Sequence, residues 1–332
     1  MKKIVVFGGG GYCASLLVPQ LLQEDWDVQV FDTFWYGTDH FPKNPNLSLV
    51  KGDVRDIKAV KEALKDRDYV LHLACISNDA SFELDENLST SVNLDSFEPL
   101  VIAAKEAGVK RFVFASSSSV YGVSDSPNVT EDHPLVPLTL YNKYKGMCEP
   151  LLLKHTDNNF VGVVFRPATV CGYAPRLRLD LSVNILTNFA VNKGKIMVFG
   201  GAQLRPNLHV QDYADLCKLL LTAPSDKVVN QVFNCGFQNM SIMDIAKAVK
   251  KVVEEFFPEK SNLPIEVTES NDNRSYHINS DKIRNVLGFT PKYSVEDAVR
   301  GLCQAFQDGK IPNSFDDDRY FNVRTMKLIG AK

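Results

Sequence analysis

Tyr141 and Lys145 are four residues apart, a spacing that brings both side chains to one face of a helix. A tyrosine hydroxyl has a pKa near ~10 and is a poor base at neutral pH. A positive charge close by stabilises the phenolate and brings that pKa toward the working range. The pair therefore predicts a base that removes a proton from a hydroxyl group. The same spacing also arises by chance on surface helices, so the interpretation depends on its surroundings.

A run of four serines, 116–119, supports the catalytic interpretation. It directly follows 111–115, a short apolar segment typical of a buried strand. A hydroxyl at the carboxyl end of a parallel strand points into the crevice where doubly wound sheets bind their ligands. We therefore expect the serine run to face the same crevice as Tyr141 and Lys145.

A glycine turn, Gly8–Gly11, lies between the apolar segment 3–7 and a helix-like segment at 12–23. Such a turn lets the backbone approach a pyrophosphate, whose charge then meets the helix N-terminus. A second strand-like segment ends in Asp32, a carboxylate that can hydrogen-bond adenosine ribose hydroxyls and repel a 2′-phosphate. The next residues, 33–36, include no arginine to receive that phosphate. The pattern predicts NAD as the cofactor rather than NADP.

These motifs need a framework of alternating strands and helices, and the first half of the chain has that rhythm. It predicts an α/β fold with a Rossmann-type, doubly wound parallel sheet. The expected strands are 3–7, 28–31, 47–50, 69–73, 112–115 and 161–165. The expected helices are 12–23, 57–66, 90–107 and 141–156.

From about Ala168 the pattern changes to longer loops and mixed elements, which predicts a smaller, mixed α/β C-terminal domain. We expect 1–167 to form the NAD-binding domain and 168–332 to bind mainly the substrate, with a return to the first domain near 205–240. The elements expected in the second part are a strand at 265–268 and helices at 280–287 and 294–308. The last fifteen or so residues, which contain three aspartates at 316–318, are expected to form a surface tail.

Composition excludes several classes of function. The chain has 332 residues, and 37 basic against 40 acidic residues give a net charge of −3, so nothing favours nucleic acid or an anionic membrane as a partner. Apolar runs fall short of the ~18 residues that span a bilayer, and we expect a cytoplasmic protein. Seven scattered cysteines without a Cys-x-x-Cys motif predict buried thiols and no metal site.

Taken together, the motifs resemble the extended short-chain dehydrogenase/reductase family, and more narrowly its NAD-dependent epimerases and dehydratases of nucleotide sugars. The resemblance covers nearly the whole chain. It rests on the glycine turn, Asp32, Gly52-Asp53-Val54, His72-Leu73-Ala74, Asn93, the serine run, Tyr141 with Lys145, Arg166-Pro167, and Arg205 with His209-Val210-Gln211-Asp212. The turn departs from the family pattern at Cys13, where an aliphatic residue is usual, and at Ala14, where a third glycine is usual.

The resemblance implies roles for individual residues. Ser117, Tyr141 and Lys145 would be catalytic, with Ser117 hydrogen-bonding the sugar oxygen and sharing its proton with Tyr141. The implied cofactor site consists of Gly8, Gly10, Gly11, Tyr12, Cys13, Asp32, Asp53, Val54, Leu73, Ala74, Tyr141 and Lys145. The implied nucleotide-sugar site consists of Ser77, Asn78, Ser118, Asn184, Arg176, Arg178, Arg205 and Arg274, whose guanidinium groups suit phosphate.

Ser118 and Ser119 discriminate between the reactions of this family. The resemblance implies an acid pair at these positions in sugar 4,6-dehydratases, a glutamate in this stretch in decarboxylases, and a cysteine at the position of Ser119 in C3/C5 epimerases. Serine supplies none of these groups, so oxidation and reduction at one carbon remain. We expect a 4-epimerase working through a 4-keto sugar, with a net C4 dehydrogenase as a rival. A non-catalytic NAD sensor is a third hypothesis, but such proteins usually lack the tyrosine–lysine pair.

Two further expectations follow from the resemblance. The segments 77–79 and 175–180 resemble a subgroup that serves bacterial surface-polysaccharide synthesis. Helices near 94–107 and 141–156 would pair across a two-fold axis and give a homodimer, although each contains a proline.

Overall fold

The structure is a computed structural model that describes residues 1–124, 126–270 and 275–331. Its strands, in chain order, are β1 (Lys2–Phe7), β2 (Trp26–Asp32), β3 (Leu47–Lys51), β4 (Tyr69–His72), β5 (Arg111–Ala115), β6 (Val161–Pro167), β7 (Thr169–Cys171), β8 (Ile196–Phe199), β9 (Leu204–His209), β10 (Gln231–Cys235), β11 (Gln238–Ser241) and β12 (Ile265–Thr268).

The α-helices are α1 (Tyr12–Gln23), α2 (Ile57–Ala63), α3 (Asp79–Phe82), α4 (Glu86–Thr90), α5 (Phe97–Glu106), α6 (Leu140–Leu153), α7 (Ser182–Lys193), α8 (Val210–Thr222), α9 (Ser225–Val228), α10 (Ile242–Phe256), α11 (Asp281–Leu287), α12 (Val295–Gln307) and α13 (Asn322–Ile329). The bounds predicted for α1 and β12 agree with the structure. The helix predicted over 90–107 is divided into α4, a π-helical turn at 91–95, and α5.

Seven parallel strands form the main sheet, in the order β10-β6-β5-β4-β1-β2-β3. Connections on the two sides of β1 run in opposite directions, and a ligand crevice opens at such a point in doubly wound sheets. Ile4, Val5, Val6 and Phe7 of β1 are completely buried, as a strand covered on both faces requires. The prediction of a Rossmann-type doubly wound sheet is confirmed.

Helices cover both faces of the main sheet. On one face α1 and α8 bury leucines such as Leu17 and Leu216, and on the other α2, α5 and α6 enclose a core that includes Phe97, Phe112 and Phe114. Each face thus has its own apolar core, and the sheet between them is a rigid base for the residues that follow its strands.

The second part of the chain builds two smaller sheets, β11-β9-β7 and β12-β8. Helices α7, α10 and α12 pack together around an apolar core that includes Val183, Val249 and Val299. Strand β10 belongs to the main sheet, where it pairs with β6, and α8 packs against α1 and β5. The chain therefore passes between the two parts more than once.

The C-terminal segment is not a surface tail, and this prediction is wrong. Helix α13 buries Asn322, Thr325 and Met326, and Met326 packs in a small core with Ile76 and Leu88. The acidic run that suggested a solvated tail instead begins a short turn. The spacing of the buried residues makes the last helix one-sided, and this face docks on the loops that follow β4. Throughout the described ranges, no helix combines the length and apolar character that crossing a membrane requires.

Candidate active site

A cleft of about 940 Å³ opens where the carboxyl ends of β1, β4, β5 and β6 face the second part of the chain. The residues with an expected cofactor role that line it are Gly8, Gly11, Tyr12, Cys13, Asp32, Asp53, Val54, Leu73, Ala74, Tyr141 and Lys145. The residues with an expected substrate role that line it are Ser77, Asn78, Ser118, Arg176, Arg178 and Arg205. The catalytic candidate Ser117 lines it as well.

The glycine turn holds the backbone of β1 against the loop that follows β4. Gly8 has φ +78°, and a Cβ atom on it would lie 2.4 Å from the backbone nitrogen of Ala74. No other residue fits this position without displacing that loop. Gly11 precedes α1 with no side chain capping the helix, so the first backbone N–H groups are available to an anion. The turn therefore fits the pyrophosphate of a dinucleotide.

Tyr12 and Cys13 continue the turn into the first residues of α1. The Tyr12 hydroxyl donates to the backbone oxygen of Gly172, so the helix is tied to the second part of the chain. Burial raises the pKa of the Cys13 thiol to about 12, which keeps it protonated and unreactive at neutral pH. Ala14, at the position of the usual third glycine, is buried in the core beneath α1. The turn closes with alanine at this position.

Asp32 at the end of β2 is held by two backbone groups. The nitrogen of Gly10 donates to one carboxylate oxygen at 2.9 Å, and the nitrogen of Phe34 donates to the other at 2.7 Å. Burial raises the pKa of Asp32, and these two hydrogen bonds act in the opposite direction. The carboxylate is thus fixed beside the turn, where it fits the ribose end of the same dinucleotide.

Asp53 and Val54 line the same end of the cleft. Burial by itself would raise the pKa of Asp53, but hydrogen bonds from the Arg55 side chain, one of them 2.7 Å long, hold it below its usual value. Asp53 is therefore an ionised, paired carboxylate at the edge of the cleft.

The serine run is tied to α6 by a chain of hydroxyl contacts. The hydroxyl oxygens of Ser117 and Ser119 are 2.7 Å apart, and the Ser119 hydroxyl donates to the side-chain oxygen of Asn142. Asn142 directly follows Tyr141 at the start of α6. The run and the helix that carries the tyrosine therefore form one connected unit.

Lys145 lies one turn further along α6 and is 5% exposed. Its ammonium donates to the carbonyl oxygen of Ala115 at 2.7 Å, which anchors it at the end of β5. Burial raises the pKa of Tyr141 well above its ordinary value, and the positive charge of Arg178 lowers it. In this structure the effect of burial is the larger one.

Beneath the serine run lies a buried ion pair. Arg166 of β6 donates to Glu149 of α6 through two nitrogens, at 2.6 and 2.9 Å, and the Ser116 hydroxyl donates to the same carboxylate at 2.5 Å. Arg166 also donates to the Tyr121 hydroxyl at 2.6 Å. Bidentate pairing of this kind fixes geometry as well as charge, so β5, β6 and α6 are held together directly behind Ser117.

A second network lies where the second part of the chain faces the main sheet. Arg178 pairs with Asp180 through two nitrogens, at 2.8 and 3.2 Å, and donates to the Ser77 hydroxyl at 3.2 Å. Asn322, the first residue of α13, donates to the same hydroxyl at 2.9 Å and through its backbone nitrogen to Asp180 at 3.1 Å. The C-terminal helix therefore contributes to the wall of the cleft.

The remaining substrate candidates fall in different places. Arg205 lies over the ring of Tyr276, with 5.3 Å between its Cζ and the ring centroid, and Asn78 caps α3 through Ser81. Asn184 is fully buried and does not line the cleft. Its amide bonds instead to the backbone of Gly172 at 2.9 Å and of Arg178 at 2.8 Å, so it braces the arginine loop. Arg274 lies outside the described residues.

Most of the chain matches a known protein family. Residues 4–236 match the model of the NAD dependent epimerase/dehydratase family. The chain belongs to this family.

Individual relatives within the epimerase/dehydratase family differ in reaction. The chain is 28% identical to a UDP-glucose 4-epimerase of Lactobacillus helveticus over 324 residues, which cover 90% of this chain and 94% of that protein. It is 25% identical to a dTDP-glucose 4,6-dehydratase of Actinoplanes, across 90% of this chain and 95% of that one. The fold is similar to a UDP-glucuronic acid 4-epimerase from Bacillus cereus, with TM-score 0.80, 24% identity, and coverage of 92% and 99%.

Membership of the epimerase/dehydratase family establishes several of the predictions. The protein is an enzyme, its cofactor is NAD, and its reaction class is NAD-dependent modification of nucleotide sugars. The glycine turn and Asp32 meet the structural demands of that cofactor. The chain is less than 30% identical to enzymes that catalyse two different reactions. The reaction of this enzyme must therefore be inferred from the residues of its own site.

Three features of this family member were not predicted from its sequence. Asn142 directly follows Tyr141, the predicted base, and the polar side chain at this position was a signal that could have identified it. Tyr36 was noted only as a residue that is not arginine. Asn322 carried no signal, because its role depends on contacts with residues such as Ser77, 245 positions away.

Proposed function

We propose that the enzyme epimerises a nucleotide-activated hexose or heptose at C4 through a 4-keto sugar. The observation that supports this proposal most is that serines occupy the two positions after Ser117. Ser118 and Ser119 are 1% and 9% exposed, and the Ser119 hydroxyl is engaged by Ser117 and Asn142. Neither position offers the acid pair that would eliminate water or the cysteine that would act at C3 and C5, so chemistry confined to one carbon is favoured.

In this proposal Tyr141 takes the proton from the C4 hydroxyl, and Ser117 hydrogen-bonds the same oxygen. When bound, NAD would supply the hydride acceptor for C4 and, once reduced, the hydride donor. Lys145, anchored on Ala115, is proposed to supply a positive charge for the phenolate, and the charge of Arg178 lowers the pKa of Tyr141. These cations act against burial, which still raises the pKa of Tyr141 overall, so the basic form of Tyr141 gains population only as pH increases.

The nucleotide diphosphate is proposed to lie toward Arg205, which is 9% exposed and stacked on Tyr276. An arginine fixed in this way presents its planar fork with little loss of side-chain entropy. The volume of the cleft, about 940 Å³, is at the upper end of the ~300–1,000 Å³ usual for ligand sites. This size suits a dinucleotide and a nucleotide sugar together.

The remaining proposals concern the assembly of the enzyme, its location, its domains and its pathway. We propose a homodimer formed through α5 and α6, because Ile102 and Met147 on these helices are 39% and 43% exposed. Pro99 lies in the first turn of α5, where proline is tolerated. We also propose that the enzyme is cytoplasmic, that residues 1–167 are its NAD-binding domain, and that it serves surface-polysaccharide synthesis.

The test is incubation of the purified protein with a panel of UDP, GDP, dTDP and CDP sugars, followed by NMR of the product and absorbance at the NADH band. A C4 epimer without net NADH is the expected result. Stoichiometric NADH with a 4-keto product would replace epimerisation by net C4 dehydrogenation. Loss of water from the sugar would contradict the interpretation of Ser118 and Ser119.

A further inference from the structure

Arg176 reaches from the second part of the chain into the cofactor half of the cleft. Its backbone nitrogen donates to the Ser15 hydroxyl of α1 at 3.1 Å. Its guanidinium carbon lies 3.7 Å from the ring centroid of Tyr36, four residues after Asp32. The side chain is 6% exposed and lines the cleft. It thus lies between the first turns of α1 and the end of β2, the two places that hold a dinucleotide in this fold.

This guanidinium has no directly paired carboxylate among the described residues, although Asp180 and Asp32 act on its charge from a longer distance. One nitrogen donates to the side-chain oxygen of Asn322 at 2.6 Å, but the Nε–H has no hydrogen-bond partner. Among the residues that the structure describes, no carboxylate forms an ion pair with Arg176, whereas Arg178 is paired with Asp180. A buried charge with an unmet donor is unfavourable unless an anion completes it. Arg176 therefore faces the cleft in need of an anionic ligand.

We propose that Arg176 binds a phosphate group in the adenosine half of the dinucleotide, so that the second part of the chain binds the cofactor directly. Asp32 and Tyr36, which interact with its guanidinium, both line the cleft near the end of β2. The nucleotide-sugar diphosphate has a separate candidate in Arg205, which stacks on Tyr276. Burial also lowers the pKa of Arg176 to about 10, so the group is still charged at neutral pH but gains from an added anion.

The position of Arg176 bears on cofactor selectivity. The segment after Asp32 contains no arginine, but the fold brings one to the same place from position 176. The phosphate bound by Arg176 can be the pyrophosphate of NAD or the 2′-phosphate of NADP. Both groups present anionic phosphate oxygens to a guanidinium. The carboxylate of Asp32 repels the 2′-phosphate of NADP and therefore favours NAD.

The test is calorimetric titration of the full-length chain and its Arg176→Met variant with NAD, NADP, ADP-ribose, adenosine and UDP. A charge-assisted hydrogen bond contributes enough that its loss should weaken ADP-ribose and NAD by roughly 10- to 100-fold. Adenosine and UDP should bind the variant as they bind the parent. A larger loss for NADP than for NAD would assign the contact to the 2′-phosphate, and equal losses would assign it to the pyrophosphate.

Arg300→Met, on the exposed face of α12, is the matched control and should leave all five titrations unchanged. Arg176→Lys, which keeps the charge, should lose less affinity than Arg176→Met, and it replaces that variant if Arg176→Met does not fold. Weaker UDP with unchanged ADP-ribose would return Arg176 to the substrate site and overturn the proposal. Unchanged affinity for both ADP-ribose and NADP, or an equal loss for adenosine, would reduce Arg176 to a packing role. Because the titrations involve no turnover, they are independent of the proposed C4 reaction.

Discussion

Replacing Glu149 by glutamine should destabilise the protein strongly, because it leaves a buried arginine without its counter-ion. Glu149 and Arg166 are 4% and 6% exposed at their side chains and 2.6 Å apart, and Ser116 donates to the same carboxylate at 2.5 Å. Breaking a buried pair by removing one partner costs about 3–5 kcal/mol of unfolding free energy. The substitution also weakens three charge-assisted hydrogen bonds, which belong to the same network and do not add separately.

The assay is urea unfolding of the parent, Glu149→Gln, and the double variant Glu149→Gln with Arg166→Met. The double variant should recover part of the loss, because no uncompensated charge stays in the core. Glu106→Gln is the control, since its ion pair with Lys61 at 3.1 Å is 57–60% exposed and should contribute below ~1 kcal/mol. A loss of stability in Glu149→Gln no larger than that in Glu106→Gln would contradict the role of the buried ion pair, and so would a double variant no more stable than the single one.

Four other predictions concern the chemistry, the cofactor and the assembly. Tyr141→Phe should lower turnover about 10²- to 10⁴-fold with unchanged NAD affinity, and most activity retained would remove Tyr141 as the base. Burial raises the pKa of Tyr141, so its basic form is a minor population at neutral pH that grows as pH increases. Turnover of the parent should therefore rise from neutral to mildly alkaline pH, and a flat profile would contradict this. The parent should bind NAD more tightly than NADP in calorimetry and Asp32→Asn should narrow the gap, whereas equal affinities of the parent would refute the role of Asp32. Sedimentation at micromolar concentration should show a dimer that Ile102→Asp converts to a monomer, and a monomeric parent would contradict the α5–α6 interface.

The cofactor half of the site was predictable because its signals are local. The glycine turn, the strand before it and Asp32 lie within one β1-α1-β2 unit, and each needs only its neighbours to be interpreted. The same holds for Tyr141 and Lys145, whose spacing on one helix fixes their common face. Such local patterns are informative because a parallel sheet brings the residues that follow its strands to the same edge.

The rest of the site depends on contacts between distant residues. Arg176 donates a hydrogen bond to Asn322, which is 146 positions away in the sequence. The amide of Asn184 donates to the backbone oxygen of Arg178 and does not reach the cleft. The helix predicted over 90–107 is interrupted where Asn93 bonds both backbone groups of Ile76, at 2.8 and 2.9 Å. No periodicity in the sequence encodes such pairings, because each is decided by the packing of another element.

A nucleotide sugar deuterated at C4 tests whether the sugar is oxidised and reduced again at C4 without leaving the site. The protein is incubated with this substrate in ordinary water, and the product is analysed by mass spectrometry and NMR. The expected product is a C4 epimer that retains the deuterium at C4 and carries no solvent hydrogen at C3 or C5. Transfer of the deuterium to released NADH, or a label lost from C4 with solvent hydrogen at a neighbouring carbon, would contradict it.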